Sequence, residues 1–179
     1  KKLPYQTREQ YYEAAQNYFE RAVQKSLRRL GPLTTQVSGG LDSSAVTAQA
    51  ALSLAKDQES LTAFTILPNG LEGKSYRTGW YYHELPRIKE LLEQYPNIQH
   101  MIYSANPSTD IFEKLKPLQR CFDLPLRNIN NLDWTMACYE QVLAQDGRVL
   151  LIGAGGNGTI SWEGRSKLES LNSFYLYLK

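Results

Sequence analysis

Cysteine and histidine are scarce in this chain, with two of each. Cys121 and Cys138 are too few and too isolated for a disulfide framework or a structural metal site, and His83 and His100 have no partner acid at ligand spacing. The two thiols read as ordinary semi-buried residues of a reducing cytoplasm. Charge of one sign is also lacking. Twenty Lys and Arg against 18 Asp and Glu leave a net +2, which gives no support for nucleic acid or an anionic membrane surface as partner. No apolar run approaches the ~18 residues of a membrane span, and no apolar core follows Lys1-Lys2-Leu3-Pro4 to make a signal peptide. The expectation is a cytoplasmic protein with no membrane and no nucleic-acid partner.

What is present suits a globular domain. A length of 179 residues with 42% hydrophobic content predicts one domain, or one domain with a small appendage. The twelve Tyr are scattered and read as half-buried surface and helix-packing residues. Apolar residues at helical spacing from Tyr12 to Leu30 predict a helix over 7–30, capped by Thr7 with Gln10 and ended by Gly31-Pro32. Short apolar and β-branched runs predict strands at 33–37, 61–67, 98–103 and 148–152. Helices are predicted from residue 45 to about 56–58, over 84–94 and over 133–145, with a weak one over 109–121 broken at Pro117. Residues 68–82 and 124–132 read as loops. Strands alternating with helices imply a parallel sheet covered on both faces, an α/β fold that binds ligands at the carboxyl ends of its strands.

One stretch stands out at such a strand end. Ser38-Gly39-Gly40-Leu41-Asp42-Ser43-Ser44 joins the first strand, which ends at Val37, to a helix. Strand, glycine-rich turn and helix N-terminus form an anion-binding arrangement, because unpaired N–H groups and the positive end of the helix dipole converge on one spot. Adjacent glycines let the backbone approach an anion closely. Ser38, Ser43 and Ser44 add hydroxyls. Asp42 beside a phosphate makes sense if Mg²⁺ sits between them. The loop lacks the Lys of the common phosphate-binding loop. A second glycine-rich turn, Gly153 to Gly158, also follows a strand, so the two turns belong on one sheet edge.

The loop SGGLDSS resembles the pyrophosphate loop of the N-type ATP pyrophosphatases, and its wording is similar to the asparagine synthetase branch. That resemblance covers roughly residues 30 to 165 and implies an adenine nucleotide α-hydrolase-like fold (a PP-loop ATPase). It implies ATP and Mg²⁺ as cofactors, cleavage between the α- and β-phosphates, and amide synthesis through an adenylated carboxylate. Val37, Ser38, Gly39, Gly40, Leu41, Asp42, Ser43 and Ser44 would hold the phosphates. Phe64-Thr65-Ile66 would hold adenine through backbone contacts, and Gly153, Ala154 and Gly155 would complete the nucleotide site. Catalysis and Mg²⁺ would rest on Asp42 and on Asn157.

The second turn departs from the synthetase pattern. Family members carry a Glu after the first Gly and then an Asp–Glu pair, whereas this chain has Ala154, Asn157 and Gly158. Asn157 can ligate Mg²⁺ only through a neutral carbonyl, and loss of the Glu argues against free ammonia as nucleophile. Asn157-Gly158-Thr159-Ile160-Ser161 resembles the asparagine-synthetase-like lasso peptide cyclases, in which a peptide Asp or Glu side chain is adenylated and the peptide's own amino group attacks. Pro125, Asn128, Asn131 and Trp134 resemble that branch too, with Arg127, Asn128 and Trp134 as candidates for an acceptor pocket, though a structural role is favoured for them. Lys74 and Arg77 are candidates to close over the triphosphate, and Glu84 a helix-start residue.

The resemblance implies a division into an N-terminal helix serving as packing or linker (1–32), the ATP pyrophosphatase domain (33–164), and the start of a C-terminal helical part (165–179). A glutaminase-type N-terminal domain and the rest of the C-terminal helical part, with its adenylation Lys, are expected as partners outside this chain. Three functions compete: asparagine synthetase acting on aspartate, a peptide-modifying amide ligase, and a nucleotide-binding module that no longer catalyses.

Overall fold

The computed structural model describes residues 4–67, 84–104 and 129–156, together with the single positions 110, 113, 116, 119 and 120. Within them the chain runs α1 (Arg8–Ser26), β1 (Leu33–Gln36), α2 (Leu41–Ala55), β2 (Leu61–Leu67), α3 (Leu85–Gln94), β3 (Ile98–Ser104), α4 (Ile129–Ala144) and β4 (Val149–Leu151). All described strand pairs are parallel, in the order β3-β2-β1-β4. The expected parallel α/β sheet is therefore present. No helix among the described residues is long and apolar enough to cross a membrane.

Side-chain alternation along the strands sorts the helices onto the two faces. Leu33 and Val37 of the first strand region, Leu61 and Ala63 of β2, Ile98 of β3 and Leu151 of β4 form one core with Val23 of α1, Ala50, Ala51 and Leu54 of α2, and Ile88 of α3. The opposite face is covered by α4, whose Cys138 and Val142 are buried and whose C-terminal turn places Gly147 against Thr34 and Val142. Phe64, fully buried, meets Tyr103 on the same side at 5.7 Å between ring centroids. This handedness is what right-handed crossovers require: α2 and α3 lead the chain outward through β2 to β3, and α4 carries it back to the other side of β1. The sheet therefore has its topological switch point between β1 and β4, where ligands of such folds bind.

Local chemistry sets most element boundaries. The α1 capping box forms as expected, with Gln10 N–H donating to Thr7 Oγ1 and Thr7 N–H to Gln10 Oε1, each at 3.3 Å. The helix stops at Ser26 rather than near Gly31-Pro32. Arg29 explains this: it donates to the Leu27 carbonyl at 3.2 Å and pairs with Glu59, drawing the chain out of the helix toward β1. Leu30, expected inward, is 82% exposed. Tyr12, also expected inward, is exposed with Arg8 stacked over its ring at 5.5 Å, so the buried stripe of α1 narrows to Phe19, Val23 and Leu27. α3 buries Ile88 and packs Leu85, Leu91 and Leu92 on the core as its spacing predicts. α4 begins at Ile129, earlier than the predicted Asp133. Its first turn, Ile129-Asn130-Asn131-Leu132, carries two asparagines, a residue that loops and helix starts share. The expected loop at 68–82, most of the weak helix at 109–121 and the tail from 165 lie outside the described residues.

Candidate functional site

The loop after β1 is held in shape by its own serines. Ser43 Oγ accepts from Ser38 N–H at 3.0 Å and lies 2.8 Å from Ser38 Oγ. Ser38 Oγ accepts from Gly40 N–H at 3.2 Å. Ser44 Oγ donates to the Ser38 carbonyl at 3.1 Å. The hydroxyls expected to face an anion are thus engaged inside the loop, and their effect is to preorganise its backbone. Gly40 is the N-cap of α2 in extended conformation, without a side-chain cap. The first helical bond runs from Ser44 N–H to Gly40 C=O at 3.2 Å. The N–H groups of Leu41 to Ser43 precede it, and they open the positive end of the helix dipole.

The second glycine-rich turn packs directly on this loop. A Cβ on Gly153 would stand 2.5 Å from Ser43 N, 2.8 Å from Ser43 Cα and 2.9 Å from Asp42 C, all backbone atoms. Gly156 is buried against Asp42, and a Cβ there would overlap the carboxylate. The two turns share one edge because β1 and β4 are neighbours, paired Leu33↔Val149 to Thr35↔Leu151. On the other flank Gly39 touches Glu84, the N-cap residue of α3, whose side chain makes no cap bond. Arg87 donates to the Gly39 carbonyl at 3.4 Å.

A cavity of about 390 Å³ opens beside the two turns, at the switch point. The first loop supplies Ser38, Gly40, Asp42 and Ser43 to its wall, and β1 supplies Gln36. Leu150, Ile152, Gly153 and Ala154 face it from β4 and the second turn, and Thr135, Cys138 and Tyr139 from α4. Gln36 and the α4 residues carry no signature that sequence alone picks out. Their only signal is parity: Gln36 alternates onto the face that α4 covers. Burial pushes the Cys138 thiol up to about 11, which suits a packed wall residue.

Phe64, Thr65 and Ile66 do not line this cavity. Phe64 and Thr65 are fully buried, and the Phe64 carbonyl accepts from Val37 N–H at 2.9 Å. β2 pairs with β1 only as far as Gln36↔Phe64 but with β3 as far as Leu67↔Ser104. The β1-side backbone beyond Phe64 is therefore not covered by a paired strand. Thr65 Oγ1 donates to the Val37 carbonyl at 2.9 Å and lies 2.8 Å from His100 Nε2. With its one proton committed, Thr65 accepts from His100, which fixes the Nε2–H tautomer. Burial holds the His100 pKa below its usual value.

For a cation the available donor set is small. No group of three or more His, Cys, Asp or Glu lies together among the described residues. Mg²⁺ commonly takes one or two carboxylates and fills its shell with phosphate oxygens and water. Asp42 beside an anion loop fits that pattern. Asn157 and Gly158 lie outside the described residues, as do Lys74, Arg77, His83, Arg127 and Asn128.

Comparison with known proteins adds a family. A search of curated proteins finds no match. Among solved structures the chain is similar to NAD⁺ synthetase from Burkholderia pseudomallei, at 16% identity and a TM-score of 0.43, over 82% of this chain and 63% of that one. The chain thus spans less than two thirds of that structure. The family model described as asparagine synthase matches residues 14–161, from the middle of α1 past the second glycine-rich turn. With both turns of the site inside the matched region, this chain belongs to the asparagine synthase family.

Proposed function

We propose that this chain is the nucleotide-binding part of an ATP-dependent amide ligase that adenylates a carboxylate. The observation that carries the reading is the junction of the two glycine-rich turns over Asp42, at the switch point of a parallel sheet and next to a cavity large enough for a small ligand. The triphosphate would lie on the N–H groups opening α2, with Gly39 and Gly40 letting it approach. An acceptor carboxylate oxygen would attack the α-phosphorus, forming an acyl–phosphate bond as the bond to the β-phosphate oxygen breaks and pyrophosphate leaves. An amine would then attack the acyl carbon, lose its proton and release AMP. What the site must do electrically is hold the charge of the departing pyrophosphate, and preorganised backbone N–H groups suit that task. Asp42 would hold Mg²⁺ together with the phosphates, and the ion when bound neutralises phosphate charge.

The acceptor we favour is an Asp or Glu side chain of a peptide, attacked by that peptide's own amine, as in the lasso peptide cyclases. Support comes from the second turn, where Ala154 stands at the position of the family's first acid and Asn157 and Gly158 replace the other two. A glutaminase-type N-terminal domain and a further C-terminal helical part complete the proposed enzyme, in a cytoplasmic setting.

Product analysis tests the reading. The protein, alone and within its full-length parent, is incubated with ATP and Mg²⁺, then with aspartate or with acidic peptides. AMP and pyrophosphate that appear only with a peptide acceptor support the proposal, and dependence on aspartate would redirect it to asparagine synthesis. ATP that binds yet stays intact in both forms would leave a non-catalytic nucleotide module. Replacing Asp42 with Asn is expected to lower pyrophosphate release by at least ~100-fold while the melting temperature stays within a few degrees. Full activity in Asp42→Asn would remove the metal role.

A further inference from the structure

The middle of a parallel sheet is normally apolar, since both faces are covered. β1 departs from this with Thr34, Thr35 and Gln36 in succession. Two of these are accounted for. Thr34 Oγ1 donates to the Val149 carbonyl at 2.6 Å, and Thr35 Oγ1 lies 3.0 Å from Thr47 Oγ1 and 3.3 Å from the Leu151 carbonyl. Gln36 is different. It is half-buried, lies on the cavity wall and makes no side-chain hydrogen bond to a described residue. Its carboxamide, unpaired among the described residues and open to the cavity, has both a donor and an acceptor free for a bound molecule. Sheet formation does not call for it, because a strand covered on both faces is normally built from apolar side chains.

We propose that Gln36 reads the base of the bound nucleotide. This rests on the adenylation reading above and assigns a specificity role within it. With the triphosphate on the loop at Ser38 to Ser44, the uncharged remainder of the nucleotide falls into the adjoining cavity. Leu150 and Ile152 offer apolar walls there and Tyr139 an aromatic one, suited to a flat ring. The Gln36 carboxamide presents one donor and one acceptor in a plane, and adenine presents a matching pair at its 6-amino group and a neighbouring ring nitrogen. Gln36 pairs with Phe64, so Ile66 is the next β2 residue on that face, beside the cavity and not in its wall.

The test compares ATP with purine riboside 5′-triphosphate, which lacks only the 6-amino group, in equilibrium binding with Mg²⁺. Inorganic pyrophosphate, which has no base, reports on the loop alone. The wild-type chain is expected to prefer ATP by roughly ten-fold or more, the value of a good paired contact to a base. In Gln36→Leu, which keeps side-chain bulk but removes donor and acceptor, the ratio should fall to within about two-fold of one. Equal discrimination in wild type and Gln36→Leu would overturn the role of Gln36 while leaving adenylation standing. Equal binding of the two nucleotides by wild type would overturn it without any variant, which covers the case in which Gln36→Leu does not fold. Failure of wild type to bind either nucleotide or pyrophosphate would overturn the adenylation reading itself.

Discussion

Gly153 has no room for a side chain, and the atoms that exclude one are backbone. A Cβ there meets Ser43 N, Ser43 Cα and Asp42 C at 2.5 to 2.9 Å. Backbone at a helix start cannot rotate away as a flexible side chain can, so Gly153→Ala must push the second turn off the first. We expect a stability loss of about 1–3 kcal/mol in urea titration. A larger effect is expected on ATP affinity, which should drop by ~10-fold or more, because the backbone proposed to bind the phosphates would be misplaced. Unchanged affinity in the folded variant would show that the turns need not touch for binding. His100 supplies a second residue-scale prediction. Its folded pKa is lowered from 6.5 by burial, so the unfolded chain binds more protons just below that pH. Stability therefore rises with pH through this window and is lost as the pH falls below about 6.5. His100→Gln should flatten the slope of unfolding free energy against pH there. An unchanged slope would place the titration elsewhere.

At the scale of elements, α4 is the least local piece of the site. It brings Thr135, Cys138 and Tyr139 to the cavity from far along the chain and is held against the sheet by Cys138 and Val142. The raised thiol pKa makes Cys138 a reporter of that packing. In a Cys121→Ser background, we expect no reaction of Cys138 with a disulfide reagent at pH 8 on the timescale of a model thiol, and full reaction on unfolding. Fast labelling of the native protein would mean that α4 detaches readily. Elements also show which boundaries a sequence can announce. The start of α1 is legible because Thr7 and Gln10 form a local capping box. Its end is not, because Arg29 leaves the helix to meet Glu59, a residue beyond α2. The start of α4 is hidden for another reason: its asparagines suit a helix N-terminus and a loop equally.

Over the whole molecule, the site is a seam between strands distant in sequence and adjacent in space. A nucleotide spanning the loop after β1 and the turn after β4 binds only the folded chain, so it must stabilise it. At 100 times its dissociation constant the gain is about 2.7 kcal/mol, equivalent to a rise in melting temperature of roughly 5–10 °C for a chain of this size. Calorimetry with and without ATP and Mg²⁺ checks this, and an unshifted melting curve at saturating ATP would mean that no such seam is bridged.

Sequence by itself determined the succession of strand, glycine-rich loop and helix from residue 33, with the helix expected from residue 45 and found from Leu41, the alternation that dictates a parallel sheet, and the two glycine-rich turns as the candidate site. These are local matters of backbone freedom, capping and hydrophobic period, written within a few residues of where they act. Tertiary structure alone decided that β4 lies beside β1 rather than beside β3, which brings Gly153 and Gly156 onto Ser43 and Asp42. It also turned the loop's serines inward and left Gln36 facing a cavity with its amide unspent. Those outcomes depend on strand order and on which face α4 covers, and contacts between segments more than a hundred residues apart leave no mark in the composition of either one.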